Sequence, residues 1–167
     1  EGPTAFTGRE EDTSKATVLA VIGDAVFLDR TPFYAESGGQ VGDTGTITTS
    51  TGTVRVLDTT YALPGLHRHT FEVVEGALEP GQEATASIDV ERRAAIRRNH
   101  TGTHILHWAL REILGDHVKQ QGSWVGPDRL RFDFAHHGSV TPDEIRRIED
   151  LANHEILANA SVRHFET

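Results

Sequence analysis

Hydrophobic and polar positions alternate in short stretches through the first half of the chain and recur every three or four residues in the second. Two architectures therefore follow one another. Ala16–Ile22 and Ala25–Asp29 flank Gly23-Asp24, and Gly45–Thr49 and Thr53–Thr59 flank Ser50-Thr51-Gly52. Both read as strand–turn–strand, because Gly and Asp take up turn conformations that β-branched residues avoid. Arg68–Val74 and Glu83–Ile88 are further strand candidates, separated by a loop carrying Pro80-Gly81. Strands this short and evenly spaced predict a small antiparallel barrel over residues 16–90. Residues 1–15 are polar with early Gly and Pro, and are expected to be a linker remnant.

The period changes at Asp89. This residue is suited to an N-cap, Glu91 follows in the first turn, and Gly115 is suited to end the helix after Leu114. Ile96, Thr103, Leu106, Leu110 and Ile113/Leu114 form one stripe along that helix. Trp124-Val125 and Leu130–Phe134 read as strands. Thr141-Pro142-Asp143-Glu144 is a capping box with Pro at the first helical position. The helix it opens carries Ile145, Ile148, Leu151, Ala152 and Ile156 on one face and is expected to end near Asn159. The fold class is α+β: a small antiparallel β-barrel, then an α+β core over residues 91–167.

Composition narrows the chemistry. Cysteine is absent, which removes disulfides, thiolate ligands and Cys nucleophiles. Methionine is absent too, so the chain is expected to be a fragment of something longer. No apolar run approaches the ~20 residues of a membrane-spanning helix. A net charge of −9 argues against a protein held on nucleic acid by bulk charge. Local patches still count, and Arg92, Arg93, Arg97 and Arg98 form a basic cluster suited to phosphate, or equally to a solvated helix end. Ten histidines is a high number for this length and asks for an explanation.

His100-Thr101-Gly102-Thr103-His104 places two imidazoles one turn apart on the first helix, ~40° apart around its axis, where both can reach one metal ion. His107 follows one turn further along the same face. The residue after His100 is Thr101, so the glutamate base of a zinc protease is missing. Taken alone, this spacing is more often two histidines with no shared ligand. Thr31-Pro32-Phe33-Tyr34-Ala35-Glu36-Ser37-Gly38-Gly39-Gln40 contains Gly-Gly-Gln, which also occurs in peptide release factors that cleave an ester on tRNA. As a bare tripeptide it is a turn. Gln120-Gln121-Gly122-Ser123 precedes a strand bearing Arg131 and Asp133 on one face, where amides can read a substrate hydroxyl or simply line a polar loop. His136-His137 falls in a loop.

Together these segments resemble the editing domain of alanyl-tRNA synthetases. The resemblance rests on Arg30 through Asp43, on Arg97-Arg98-Asn99-His100 through His104, on His117-Val118 with Gln120 and Gly122-Ser123, and on Leu130-Arg131-Phe132-Asp133-Phe134. It covers about residues 16 to 163 in order. Free-standing alanyl-editing proteins and the editing domain of threonyl-tRNA synthetases share parts of it. It implies hydrolysis of seryl- and glycyl-tRNA(Ala) charged in error, with the tRNA acceptor end as partner, in the cytoplasm.

The resemblance also implies zinc, held by two His of H-x-x-x-H and by Cys and His of a later C-x-x-x-H. His100 and His104 match the first pair, and the second is expected to be missing, leaving two of four ligands. Thr103 and Gln120 take catalytic or recognition roles by this resemblance, and Gly38, Gly39 and Gln40 form a substrate-binding loop. ATP and magnesium would belong to an aminoacylation domain outside this chain. Two alternatives accompany this expectation: a catalytically silent module that binds the tRNA acceptor end, and a free-standing editing protein cut short.

Overall fold

A computed structural model describes residues 2–160. The chain forms two compact units that part between Ile96 and Arg97. The first holds strands β1 (Ala5–Phe6), β2 (Thr13–Ile22), β3 (Ala25–Leu28), β4 (Arg30–Thr31), β5 (Gly45–Thr48), β6 (Gly52–Leu63), β7 (Leu66–Gly76) and β8 (Glu83–Ile88). Six of them close into an antiparallel barrel in the order β2-β3-β7-β6-β5-β8. β8 pairs with both β5 and β2, so the barrel leaves no open edge to template a further strand.

The alternation that predicts these strands also fills the barrel. On β6, Val54 and Val56 are buried while Arg55 and Leu57 face out. Val18, Val26, Leu28, Ile47 and Phe33 complete the centre of the core. Of residues 1–15, expected as a linker remnant, those described pair with the rest of the unit. β1 pairs in parallel with β4, and β2 begins at Thr13 against Ser87 of β8. Backbone hydrogen bonds explain the difference: Thr4 N–H donates to Gly65 O and Thr7 N–H to Thr31 O, so a polar segment is held without apolar periodicity. The β6–β7 hairpin also extends beyond the predicted strands, through Leu63↔Leu66 around Pro64-Gly65.

Helix α1 (Val90–Leu114) begins in the first unit, where Asp89 caps it by accepting from the Arg92 N–H at 2.9 Å. The second unit adds the antiparallel hairpin β9 (Lys119–Val125) and β10 (Leu130–Ala135), then α2 (Pro142–Ala158). β9 is longer than Trp124-Val125 because pairing with β10, not apolar content, defines Lys119–Ser123 as strand. The α2 capping box is present in full: Thr141 accepts from Glu144 N, Glu144 accepts from Thr141 N, and Asn159 closes the helix at φ 48°. Ala109, Leu110, Val118 and Ile148 form the buried centre of this unit, with Phe132 and Phe134 packed against it. No helix among the described residues is long and apolar enough to cross a membrane.

Candidate functional site

His100 and His104 lie on α1 with ring centroids 5.1 Å apart and planes 19° from parallel. Both side chains are exposed. Desolvation lowers the His100 pKa below the usual imidazole value, and the neighbouring His104 lowers it further, so His100 is a neutral donor at pH 7. Thr103, between them in sequence, is buried, and its hydroxyl donates to the Asn99 carbonyl at 2.9 Å, leaving the oxygen lone pairs as acceptors. Closed zinc sites use four protein ligands, open ones three and a water. Among the described residues no group of three or more His, Asp or Glu side chains can hold a metal ion. By donor chemistry the pair fits half of a zinc site, and the described residues do not complete it.

Asn99, the residue before His100, ties the helix to the β9–β10 turn. Its side-chain amide donates to Gly126 O at 2.8 Å and Pro127 O at 3.1 Å. From there the hairpin runs back along α1. Leu130 faces Gly102, where an added Cβ would sit 3.4 Å from the leucine, and Phe132 packs on His107 at 5.0 Å. That is ordinary van der Waals distance, so the helix–hairpin packing does not by itself require glycine at this position. Gln120 pairs with Phe134, at the hairpin end away from Asn99. Six residue steps take the chain from it to Gly126, ~20 Å, whereas His104 lies ~7.5 Å along the helix from Asn99. Gln120 therefore sits towards the open end of the hairpin, and both Gln120 and Gln121 are exposed. Arg131 and Asp133 do share a face, joined by a 3.1 Å ion pair.

His117 and His136 share a 2.8 Å nitrogen–nitrogen hydrogen bond, and His137 stacks on His117 at 4.4 Å. These rings tie the loop before β9 to the loop after β10. His107 was legible as a continuation of the helical stripe, but its status was not: its Nε2 is buried without a hydrogen-bond partner.

In the first unit the long Thr31–Asp43 string is a stitched loop. His69 is fully buried; its Nδ1–H donates to Val26 O at 3.0 Å and its Nε2 accepts from the Thr31 hydroxyl at 2.8 Å. Burial holds this imidazole neutral, with its pKa lowered to about 4. Phe33 packs edge-on against it at 5.3 Å. Tyr34 N–H donates to the Asp43 carboxylate at 2.7 Å, and Asp43 N–H returns to Tyr34 O, closing the loop at its base. At its tip Ser37 and Gln40 exchange backbone hydrogen bonds, with Gly38 at φ 60° and Gly39 at φ 85°, the tight hairpin turn that requires two left-handed residues. Gly38 is exposed at the tip, while Gln40 is buried beneath it.

The Arg cluster divides. Arg93 forms a buried ion pair with Asp43 and also donates to Gly8 O and Pro32 O, while Arg92 donates to Gly42 O at 2.8 Å. These two hold the loop base to the start of α1, which gives both a structural role. Arg97 and Arg98 are exposed and make no ion pair among the described residues.

Over residues 4–92, more than half of its length, the chain matches the family described as tRNA synthetases class II (A). The chain belongs to that family. Alanine–tRNA ligases are among its similar proteins. That of Chloroflexus aurantiacus is 47% identical over 171 residues, covering 95% of this chain and 19% of the relative. That of Acetivibrio thermocellus is 50% identical over 172 residues, covering 95% and 20%. That of Aromatoleum aromaticum is 49% identical over 175 residues, covering 96% and 20%. The chain thus spans about a fifth of the length of these curated relatives.

Proposed function

We propose that this chain is the editing part of an alanine–tRNA ligase, a cytoplasmic enzyme, and hydrolyses seryl and glycyl esters from tRNA(Ala). One observation carries the reading: an exposed, near-parallel imidazole pair with a buried threonine hydroxyl between its members. It lies in a chain about half identical to alanine–tRNA ligases. The chemical need is clear. A pocket sized for alanine cannot strongly reject serine, which only adds a hydroxyl, nor exclude smaller glycine. A second site built to hydrogen-bond the hydroxyl removes seryl-tRNA and spares alanyl-tRNA, which would leave its polar groups unpaired.

His100 and His104 would hold zinc together with donors from outside the described residues. When bound, zinc polarises an ester carbonyl or supplies an activated water. Thr103 would offer its lone pairs to an attacking water or to the substrate α-ammonium, its proton being committed to Asn99 O. Arg97 and Arg98 supply cations for phosphates of the acceptor end. Gly38, Gly39 and Gln40 are the substrate-binding element that the first unit offers. Gln120, exposed on β9, is the amide that would contribute to recognition in the pocket. Ligation with ATP and magnesium belongs to the rest of such an enzyme.

The test is deacylation of seryl-, glycyl- and alanyl-tRNA(Ala) by the natural full-length protein, with zinc and with a chelator. Zinc-dependent loss of the first two, with alanyl-tRNA spared, supports the reading. Thr103→Val should lower seryl deacylation at least tenfold; full activity removes Thr103 from the site. A second reading, a module that binds the acceptor end without chemistry, is favoured by the half-complete donor set. Tight tRNA binding with no hydrolysis after zinc loading would select it.

A further inference from the structure

The imidazole pair belongs to a longer exposed stripe of α1. Arg97, His100, Thr101, His104, Trp108 and Arg111 are all exposed. At 3.6 residues per turn they fall within about 100° of the helix circumference, along ~21 Å of its axis. From Arg92 to Arg111 the sequence holds no Asp or Glu, although the chain carries a net charge of −9. At the near end Arg97 and its neighbour Arg98 are the cations without an ion pair among the described residues, while Arg111 at the far end pairs with Asp116 at 2.7 Å. Trp108 lies one turn beyond His104 and is 38% exposed. Water on an indole face is unfavourable, and the core beneath is built by its neighbours Ala109 and Leu110 with Leu106 packed on them. The other tryptophan, Trp124, is half-buried with the Arg129 guanidinium 5.4 Å from its ring.

We infer that Trp108 is the base-stacking platform of this site: its ring takes the face of the unpaired terminal base of the tRNA acceptor end. This rests on the reading of that end as the partner of the His100/His104 site. The covalent order of a charged terminal nucleotide sets the direction. Its ester-bearing ribose lies between the base on one side and the phosphate chain on the other. The stripe presents the same order, with the indole ~6 Å beyond His104, the imidazole pair in the middle, and Arg97 ~4.5 Å before His100. Single strands are held in this way, by cations along the backbone and aromatic faces under the bases. A helix face without carboxylates also attracts RNA where the acidic bulk of the chain repels it.

The experiment uses the natural full-length protein and its Trp108→Phe and Trp108→Leu variants. The probe is tRNA(Ala) with serine joined through a stable amide and 2-aminopurine as its terminal base, whose fluorescence is quenched by stacking. Deacylation of seryl- and glycyl-tRNA(Ala), and melting without RNA, are measured beside it. Trp108→Leu should abolish the quenching and lower kcat/KM about 10- to 100-fold for both esters alike, since the base is common to both. Trp108→Phe keeps an aromatic face and should recover most of the quenching and of both rates. Quenching in Trp108→Leu equal to that of the wild type overturns the assignment. So does an equal fall in rate for Phe and Leu with a lower melting temperature in both, the mark of a packing role. Wild-type protein that hydrolyses both esters without quenching the probe overturns the platform alone. Quenching that Trp108→Leu removes, with neither ester hydrolysed by the wild type, supports the platform and overturns the editing reading.

Discussion

His69 makes the barrel acid-labile by an amount that can be worked out. In the fold this imidazole is neutral, spanning Val26 O and the Thr31 hydroxyl, and its pKa is lowered by burial to about 4 from 6.5. A depressed folded-state pKa means that the unfolded chain takes up the proton first. The stabilisation is whole above pH 6.5, erodes as the pH falls, and is spent once the pH passes below about 4. Relative to high pH, preferential protonation of the unfolded chain costs the fold about 2 kcal/mol at pH 5 and about 0.2 kcal/mol at pH 7. The expected loss between the two is therefore about 1.8 kcal/mol from this residue. His67, also lowered by burial, adds a loss of the same sign. His69→Asn keeps a donor for Val26 O and cannot titrate. Urea unfolding followed by circular dichroism at both pH values should show a pH loss smaller in the variant by that amount. An equal loss in both proteins would refute the assignment of acid lability to this buried ring.

The remaining predictions concern the stitched loop. Arg93→Met leaves Asp43, whose side chain is 2% exposed, as an unpaired buried carboxylate, and should cost about 3–5 kcal/mol in urea unfolding. Replacing Arg92, which donates one hydrogen bond to Gly42 O, should cost about 1 kcal/mol on the same measurement. Gly39→Ala forces a side chain into φ 85° and should cost about 1–2 kcal/mol, with loss of hydrogen-exchange protection at the Gln40 amide.

Local pattern carried much of the fold. Alternation at Val54, Val56, Ala84 and Ala86 marked barrel strands because one buried face imposes a period of two. Thr141 and Glu144 marked the start of α2 because a capping box satisfies its own donors within four residues. Lys119–Ser123 escaped this reading: a polar strand is defined by its partner, here β10, which lies beyond the next turn. The N-terminal segment escaped it for the same reason, its donors answered by Gly65 and Thr31 far along the chain.

The candidate site divides along the same line. The sequence by itself determined that His100 and His104 share a helix face, since 3.6 residues per turn leaves no other arrangement once the helix forms. It determined the Ser37–Gln40 turn, because two adjacent glycines admit the left-handed conformations such a turn needs. Only the tertiary structure decided that Arg93 is spent on Asp43, Gly8 and Pro32 while Arg97 and Arg98 stay exposed. Only there does Asn99 clamp the hairpin turn, Gln120 fall at the hairpin's far end, and a half-buried His107 end up packed on Phe132. The physical reason is range. Periodicity and capping are settled between neighbours, whereas the partner of a side-chain donor or acceptor is settled by whichever distant segment packs against it.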